Sequence, residues 1–247
     1  MAAPEPQAAA PAPAYTPVLT DLWRLVRAPF APQGVFGEQQ AKPTFWMPWI
    51  VLSVIFGAVS FFLLPAAMKL IEIASQARGT PVPQTAVLIT KLATLLGPAI
   101  GLLIGVLIGA VVLYVVLLAA GSSVRFKGLM CIEIFAATTV VIQSVITTAM
   151  IRMRGVDAIQ SATDLQQSLG LDLMASPEFN QAHRALAAML RGIGPFPIWS
   201  LVVCAIGLVA LEKVPKGKAW TAAIVAFVIG LLIAGGAAML FGKRAAA

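Results

Sequence analysis

The sequence predicts an all-α, polytopic membrane protein: a bundle of five transmembrane helices accompanied by amphipathic helices at the membrane interface. Two observations predict this fold class. The 247 residues are 60% hydrophobic and only 11% charged, a composition typical of membrane proteins. Five apolar stretches also run through the chain, at about residues 46–67, 95–120, 128–151, 195–211 and 219–242. A run of about 18 apolar residues is long enough to cross the hydrocarbon core as a helix.

The positive charge is gathered at the ends of these stretches. The formal net charge is +7, and cations at span ends orient helices against anionic lipid. We therefore expect the lipid bilayer as a partner, and no nucleic acid. Two short loops, 125–127 and 212–218, are dense in Lys and Arg, so the positive-inside rule favours a cytoplasmic N-terminus.

The chain ahead of the first span divides into two parts. Residues 1–17 are an Ala/Pro-rich tail with almost nothing to bury, and they lack the features of a signal peptide. Residues 18–45 are an amphipathic interfacial segment that opens with a short helix over 18–28. Its membrane-interface anchors are predicted to be Trp23, Arg24 and Arg27, beside the apolar residues Leu19, Leu22 and Val26. Packing against the protein's own loops is the alternative.

The five-span membrane domain covers residues 46–242. Its first span opens with Trp46 and Trp49, which favour the headgroup level. The helix is expected to continue past Pro65 and to end between Gln76 and Gly79. The outer loop, 152–194, contains a helix with Ser176 as N-cap and Gly192 just past its end. Residues 243–247 form a basic C-terminal tail.

Two ridges of small residues are predicted to be helix-packing interfaces. In lipid, close backbone contact through small residues holds helices together. Both ridges are therefore expected to be buried against other helices, within the chain or at an interface with other membrane-protein subunits or a second copy. The first ridge is Gly97, Gly101, Gly105 and Gly109; the second is Ala222, Ala226, Gly230, Ala234 and Ala238.

Glu133 and Gln143 are the candidate intramembrane polar residues. A carboxylate at mid-bilayer costs about 2.5–3.5 kcal/mol on insertion scales. Glu133 lies only six residues after Lys127, so a structural ion pair near the interface with Lys213, Arg24 or Arg27 is favoured over a proton or ion relay. Gln143 continues a mildly polar face on the same helix.

No catalytic or metal-binding constellation is present in the sequence. His183 is the single histidine and cannot form a His-rich metal site. Cys131 and Cys204 lie within apolar spans and are expected to behave as small buried hydrophobes. We therefore expect no enzymatic activity, no metal and no cofactor.

Three stretches carry a resemblance to a known family. They are the entry LWRLVRAPFAPQGVFGEQQAKPTFWMPW, the loop GSSVRFKG leading into EIFAATTVV, and LEKVPKGKAWTAAIVAFVIG. Their layout resembles that of the Yip-domain family, the Rab-interacting five-span membrane proteins and their bacterial relatives. The DLYGP-type signature of the eukaryotic members is absent, which argues against a Rab-binding role, and the resemblance is to a bacterial-type member. It implies a five-helix bundle in a bacterial cytoplasmic membrane, with a cytoplasmic N-terminus and no catalytic residues.

The sequence thus predicts a non-enzymatic integral membrane protein that acts through helix–helix or lipid contacts. Its role would be that of a Yip-like membrane-organising scaffold factor or an accessory subunit of a larger membrane complex. The alternative is a small-solute or ion transporter or channel, for which Glu133 would be the functional group.

Overall fold

A computed structural model describes residues 17–40, 42–79, 81–159 and 169–242. Within these ranges the chain is helical and contains no strand, which confirms the predicted fold class. The tail 1–16 and the basic tail 243–247 lie outside the described residues. The described α-helices are α1 Pro17–Arg27, α2 Pro32–Glu38, α3 Trp46–Arg78, α4 Gln84–Ala119, α5 Phe126–Ala136, α6 Thr138–Arg154, α7 Pro177–Ala182, α8 Arg184–Arg191, α9 Pro195–Ala210 and α10 Lys216–Gly242.

Four of the described helical segments are long and apolar enough to cross a membrane. They are α3, α4, α5 together with α6, and α10. A fifth crossing arises if α8 and α9 are taken as one span, which is bent by 58° between them. The contribution of α8 is needed because α9 alone has only 16 residues, or about 24 Å at 1.5 Å per residue, which is shorter than the hydrocarbon core of about 30 Å.

The ends of the long helices follow from local sequence. α3 passes through Pro65 without interruption and ends at Gly79, whose φ of 64° is left-handed. α4 ends in a Schellman motif, in which Gly121 has a φ of 68° and the Ser122 N–H donates to the Leu117 carbonyl at 2.9 Å. Glycine occupies these two positions because a Cβ disfavours the left-handed conformation.

The third span, Phe126–Arg154, is one candidate crossing with a local break in its helix at Ala137. α5 ends at Ala136 and α6 begins at Thr138. The Thr138 hydroxyl donates to the Phe135 carbonyl at 2.6 Å, and the Thr139 hydroxyl donates to the Ala136 carbonyl at 2.9 Å. Hydroxyl groups that bond back to the preceding turn in this way often bend helices.

The core lies where α2, α4, α5, α9 and α10 converge. On α4 the buried positions are spaced by four, three and four residues, as in helices that pack along a seam. The largest buried side chains include Phe36 from α2 and Phe135 from α5, whose rings meet edge to face at 6.0 Å. The buried residues of α4 are Val106, Ala110, Leu113 and Leu117.

The hairpin of α1 and α2 belongs to the bundle and lies along α9. The Trp199 indole N–H donates to the Pro29 carbonyl at 2.9 Å. At the other end of α9 the Gln40 amide donates to the Ala210 carbonyl at 2.7 Å. The N-terminal segment therefore packs on α9 over most of its length.

Two loops meet at one end of the bundle, called here the loop end. The α4–α5 loop contributes Arg125 and the α9–α10 loop contributes Glu212, which form an ion pair at 3.1 Å. The Lys218 ammonium donates to the Ala120 carbonyl at 2.8 Å and so caps the C-terminus of α4. The second half of α10 lies away from this end, against α8.

Candidate functional site

The candidate site is a lateral groove between α3, α4, α5, α6 and α9. Its volume is about 340 Å³, and its walls are mostly apolar. The floor and walls are formed by Phe56, Pro98, Gly101, Leu102, Gly105, Val106, Glu133, Ala137, Val140 and Ser200.

Two glycines keep this groove open. Gly101 and Gly105 are exposed, and a Cβ built at either position would have no atom within 4 Å. Since residues four apart lie on one ridge of a helix, the pair leaves a furrow without side chains along α4. A neighbouring helix can therefore approach the backbone of α4 closely here.

The carboxyl group of Glu133 is the main polar group of the groove. It lies against Gly109 so closely that a Cβ at Gly109 would be 2.8 Å from Glu133 Oε2. Its hydrogen-bond partner among the described residues is the Cys204 thiol, with Sγ 3.9 Å from Oε1. Gly109 lies ten residues before the end of α4 at Ala119, or about 15 Å along the helix. Glu133 thus lies within the candidate span Phe126–Arg154, at the level of Gly109 on α4.

The predicted ion pair of Glu133 is wrong. No Lys or Arg in the described part of the chain lies within ion-pair distance of it. Arg24 and Arg27 instead bind Glu38, at 2.9 and 3.2 Å. Because α2 supplies its own carboxylate, these guanidinium groups have a nearer partner than Glu133.

The break between α5 and α6 adds a backbone group beside Glu133. The Ser200 hydroxyl of α9 donates to the Ala136 carbonyl at 3.3 Å. Ser200 and Cys204 lie four residues apart and therefore on one face of α9. This polar face was not predicted, although the four-residue spacing of Ser200 and Cys204 indicates it. Gln143 is half-buried on α6 and does not line the groove.

The first glycine ridge is not buried within the chain, contrary to one of the two predicted arrangements. A Cβ at Gly97, Gly101 or Gly105 would meet nothing within 4 Å, and only Gly109 is packed. Each step of four residues turns the helix by about 40° beyond a full turn. Three steps carry the ridge about 120° around α4, so one straight neighbour cannot cover it. Burial at an interface with another chain stays a prediction.

The second ridge is divided in the same way. Ala222 is buried and Ala226 is half-buried, whereas Gly230 and Ala234 are exposed and Ala238 is half-buried. Burial of the whole ridge within the chain is therefore wrong. The close contact with α8 is made by Gly235 instead, where a Cβ would lie 3.0 Å from Met189 Cγ.

The N-terminal helix has the apolar face that was predicted, and that face points outward. Trp23 is 60% exposed, and the other exposed apolar side chains of α1 are Leu19, Leu22 and Val26. The inner face is buried at Leu25 and, unexpectedly, at Asp21. This face therefore does not pack on the described loops, and its contact with the membrane interface stays a prediction.

A polar network fixes α1 to α2. Arg24 donates to Asp21 Oδ1 at 3.1 Å as well as to Glu38, and Thr44 donates to Asp21 at 3.3 Å. The hydrogen bond from Arg24 is the main cause that holds the pKa of Glu38 below its ordinary value, and Arg27 adds to it. Arg24 and Arg27 thus have a structural role that their prediction as membrane anchors did not include.

The two tryptophans at the start of α3 differ. Trp46 is 64% exposed, and its role as a headgroup-level anchor stays a prediction. Trp49 packs against the core, and its indole nitrogen is buried without a partner. Its orientation therefore does not fit the predicted role of an interface anchor.

The outer loop contains no candidate for catalysis or metal binding among its described residues. The Ser176 hydroxyl accepts the Phe179 N–H at 3.2 Å, which confirms it as an N-cap. The predicted single helix is broken at His183, which is exposed and stacks on Phe179. No group of three His, Cys, Asp or Glu side chains that could hold a metal ion occurs in the described ranges.

Fold and groove together define a multi-pass, all-α membrane protein with an open, glycine-lined furrow on its flank. Residues 26–239 match the Yip1 domain, and the chain belongs to the Yip1 domain family. This family is membrane-associated and non-catalytic. Neither the curated proteins nor the solved structures contain a significant match to the chain. The bacterial origin and the cytoplasmic N-terminus stay predictions.

Proposed function

We propose that this protein is a non-enzymatic, membrane-organising scaffold or accessory subunit. Its groove would receive a transmembrane helix of another membrane-protein subunit. One observation carries the proposal: the carboxyl group of Glu133 lines an open, apolar groove, and its one hydrogen-bond partner among the described residues is the thiol of Cys204, 3.9 Å away.

The groove suits a helix in shape. Gly101 and Gly105 permit close backbone approach, which supplies the packing energy between helices in lipid. Val140, on the opposite wall, is exposed and would contact the incoming helix. Filling the groove would also remove acyl chains from beside Glu133.

The groove also suits a particular chemistry. An acidic side chain inside a membrane is costly unless it is paired. A partner helix with a hydroxyl, amide or basic side chain at the depth of Glu133 would provide the missing hydrogen-bond donor. This requirement distinguishes a specific partner helix from lipid.

Site-specific crosslinking in native membranes tests the proposal. A photoreactive amino acid at Val140 is expected to form a crosslink to a membrane-spanning segment, which mass spectrometry identifies. Gly105→Leu places a side chain into the groove without meeting a neighbour, so it should abolish this crosslink. Gly97→Leu is the matched control, because Gly97 has equally free space but does not line the groove.

The identity of the crosslinked peptide decides the outcome. A peptide from a different membrane protein supports the proposal, and a peptide from a second copy of this chain shows self-association instead. Crosslinks to lipid alone, or equal crosslinking in the two leucine variants, would contradict it.

Transport of a small solute or ion is the alternative, and the position of Glu133 is the observation that favours it. An intramembrane acid without a cationic partner is typical of ion or proton pathways. Flux into liposomes that contain the purified protein, with loss of that flux in Glu133→Gln, would support this function. Equal leak rates in protein-containing and empty liposomes would exclude it for the solutes measured.

A further inference from the structure

A second, polar pocket lies at the loop end, separate from the lateral groove. Its volume is about 560 Å³, and it is formed by the segment after α2 and by the α4–α5 and α9–α10 loops. Its lining residues are Gln40, Ser123, Arg125, Leu211, Glu212 and Lys213.

The only acid in this lining is already occupied. Glu212 accepts the Arg125 backbone N–H at 2.8 Å and the Arg125 guanidinium at 3.1 and 3.2 Å. These bonds hold the guanidinium in one orientation while half of the Arg125 side chain remains exposed. A charge that is fixed in this way binds an anion with less loss of conformational entropy.

Lys213 supplies a second cation, which is exposed and has no ion pair in the described part of the chain. Its backbone is unusual. With a φ of 55° it is the one non-glycine residue with a left-handed conformation in the described ranges. The hydrogen bond from the Val214 N–H to the Leu208 carbonyl at 3.1 Å closes the turn around it.

Lysine is a poor residue for this conformation. A left-handed residue at a helix end is usually glycine, because a Cβ is disfavoured there. Strained residues of this kind cluster at functional sites. The strain at Lys213 is accompanied here by a cation at the rim of a polar pocket, next to the fixed Arg125.

We propose that this pocket binds a phosphate group, and specifically that of an anionic lipid headgroup. Lys213 would carry the charge that no carboxylate offsets, the exposed part of the Arg125 guanidinium would donate beside its bonds to Glu212, and the Ser123 hydroxyl lies within the same pocket to donate a further hydrogen bond. Its position at the ends of membrane-spanning helices favours lipid as the source of the phosphate, since basic groups at a membrane surface attract anionic headgroups.

Lys213→Gly separates binding from folding. The substitution removes one cation and relieves the left-handed strain, so the purified full-length protein in detergent should be at least as thermostable as the wild type. Binding of phosphatidylglycerol, measured by native mass spectrometry or by thermal stabilisation on titration, should weaken about fivefold, the effect of one basic residue near a membrane surface.

Lys216→Gln is the matched control. It removes the same charge from the exposed first residue of α10, outside the pocket, and should leave the affinity within twofold of wild type. Phosphatidylcholine is expected to give no stabilisation at the same concentration.

Three results would overturn the proposal. Lys213→Gly could bind phosphatidylglycerol as tightly as the wild type, or both lysine variants could lose the same affinity, which would indicate general surface electrostatics. Inorganic phosphate could also stabilise the protein as well as the lipid does, which would make free phosphate the ligand. None of these results depends on the lateral groove.

Discussion

Gly207 lies where α2, α5 and α9 meet, and replacing it with alanine should destabilise the bundle. It is buried on α9. A Cβ at this position would lie 2.9 Å from Ile132 Cγ2, 3.0 Å from Ile132 Cγ1 and 2.9 Å from Phe36 Cε2. Carbon atoms in contact are normally about 3.5–4.0 Å apart. Both neighbouring side chains are fully buried, so they cannot swing into solvent.

The expected cost follows from this crowding. Adding a methyl group to a well-packed core typically destabilises a protein by about 1–3 kcal/mol. For a chain of this length, that corresponds to roughly 2–4 °C in Tm for each kcal/mol. Thermal unfolding of Gly207→Ala in mild detergent should therefore show a Tm several degrees below wild type. Gly105→Ala is the control, because its methyl group meets nothing within 4 Å and alanine is the better helix former.

A double-mutant cycle identifies the contact responsible. Ile132→Ala removes two of the three crowding atoms, since Phe36 Cε2 remains, and leaves a cavity that destabilises the protein by about 2–5 kcal/mol. The double variant, Ile132→Ala with Gly207→Ala, should be less destabilised than the sum of the two single variants, by roughly 0.5–3 kcal/mol in the free energy of unfolding. An unchanged Tm for Gly207→Ala, or strict additivity in the cycle, would refute the argument that α2, α5 and α9 meet at this point.

Three further predictions concern the contacts that join the termini and loops to the bundle. The pKa of Glu38 is lowered chiefly by the hydrogen bond from Arg24, so this contact stabilises the fold above pH 4.5 and is lost as the pH falls through the lowered pKa. The protection factors for hydrogen exchange over residues 17–38, taken relative to the intrinsic exchange rate at each pH, should therefore fall in acid, and Glu38→Gln should remove that fall in protection. Glu212→Gln should lower the free energy of unfolding by about 1–3 kcal/mol, because the side chain is only 3% exposed and the N–H groups of the new amide would face the N–H donors of Arg125. An unchanged Tm would show that this ion pair does not stabilise the fold. Trp199→Phe removes the hydrogen bond to the Pro29 carbonyl in the α1–α2 turn, which should lower the free energy of docking of that hairpin by about 1 kcal/mol. Limited proteolysis should then cut the α1–α2 hairpin faster, with little change elsewhere.

The membrane-spanning helices were predictable because their signal is local. A long apolar run must form a helix in lipid, since each backbone N–H and C=O has to be paired within the segment. Helix ends were predictable for the same reason. Gly79 ends α3 and Ser176 caps α7 through conformations and hydrogen bonds that involve only neighbouring residues.

The candidate site was only partly predictable. Glu133 stood out as an acid in an apolar span, and the glycines of α4 stood out as a ridge. Their meeting at Gly109 and the thiol of Cys204, which lies 71 positions further along the chain, could not be read from spacing. The expectation that Arg24 pairs with Glu133 was wrong because Glu38, only 14 residues away, was available.

The sequence by itself therefore determined that this chain crosses a bilayer repeatedly as helices, and approximately where each crossing begins and ends. Tertiary structure alone decided which faces of those helices are covered. It buried Gly207 between two side chains, left Gly101 and Gly105 open beside Glu133, and turned the tryptophan of α1 outward. The physical reason is that each backbone hydrogen bond of a helix joins residues only four apart, so helix formation depends on local sequence. The choice of neighbour depends instead on small packing differences among many similar apolar surfaces far apart in the chain.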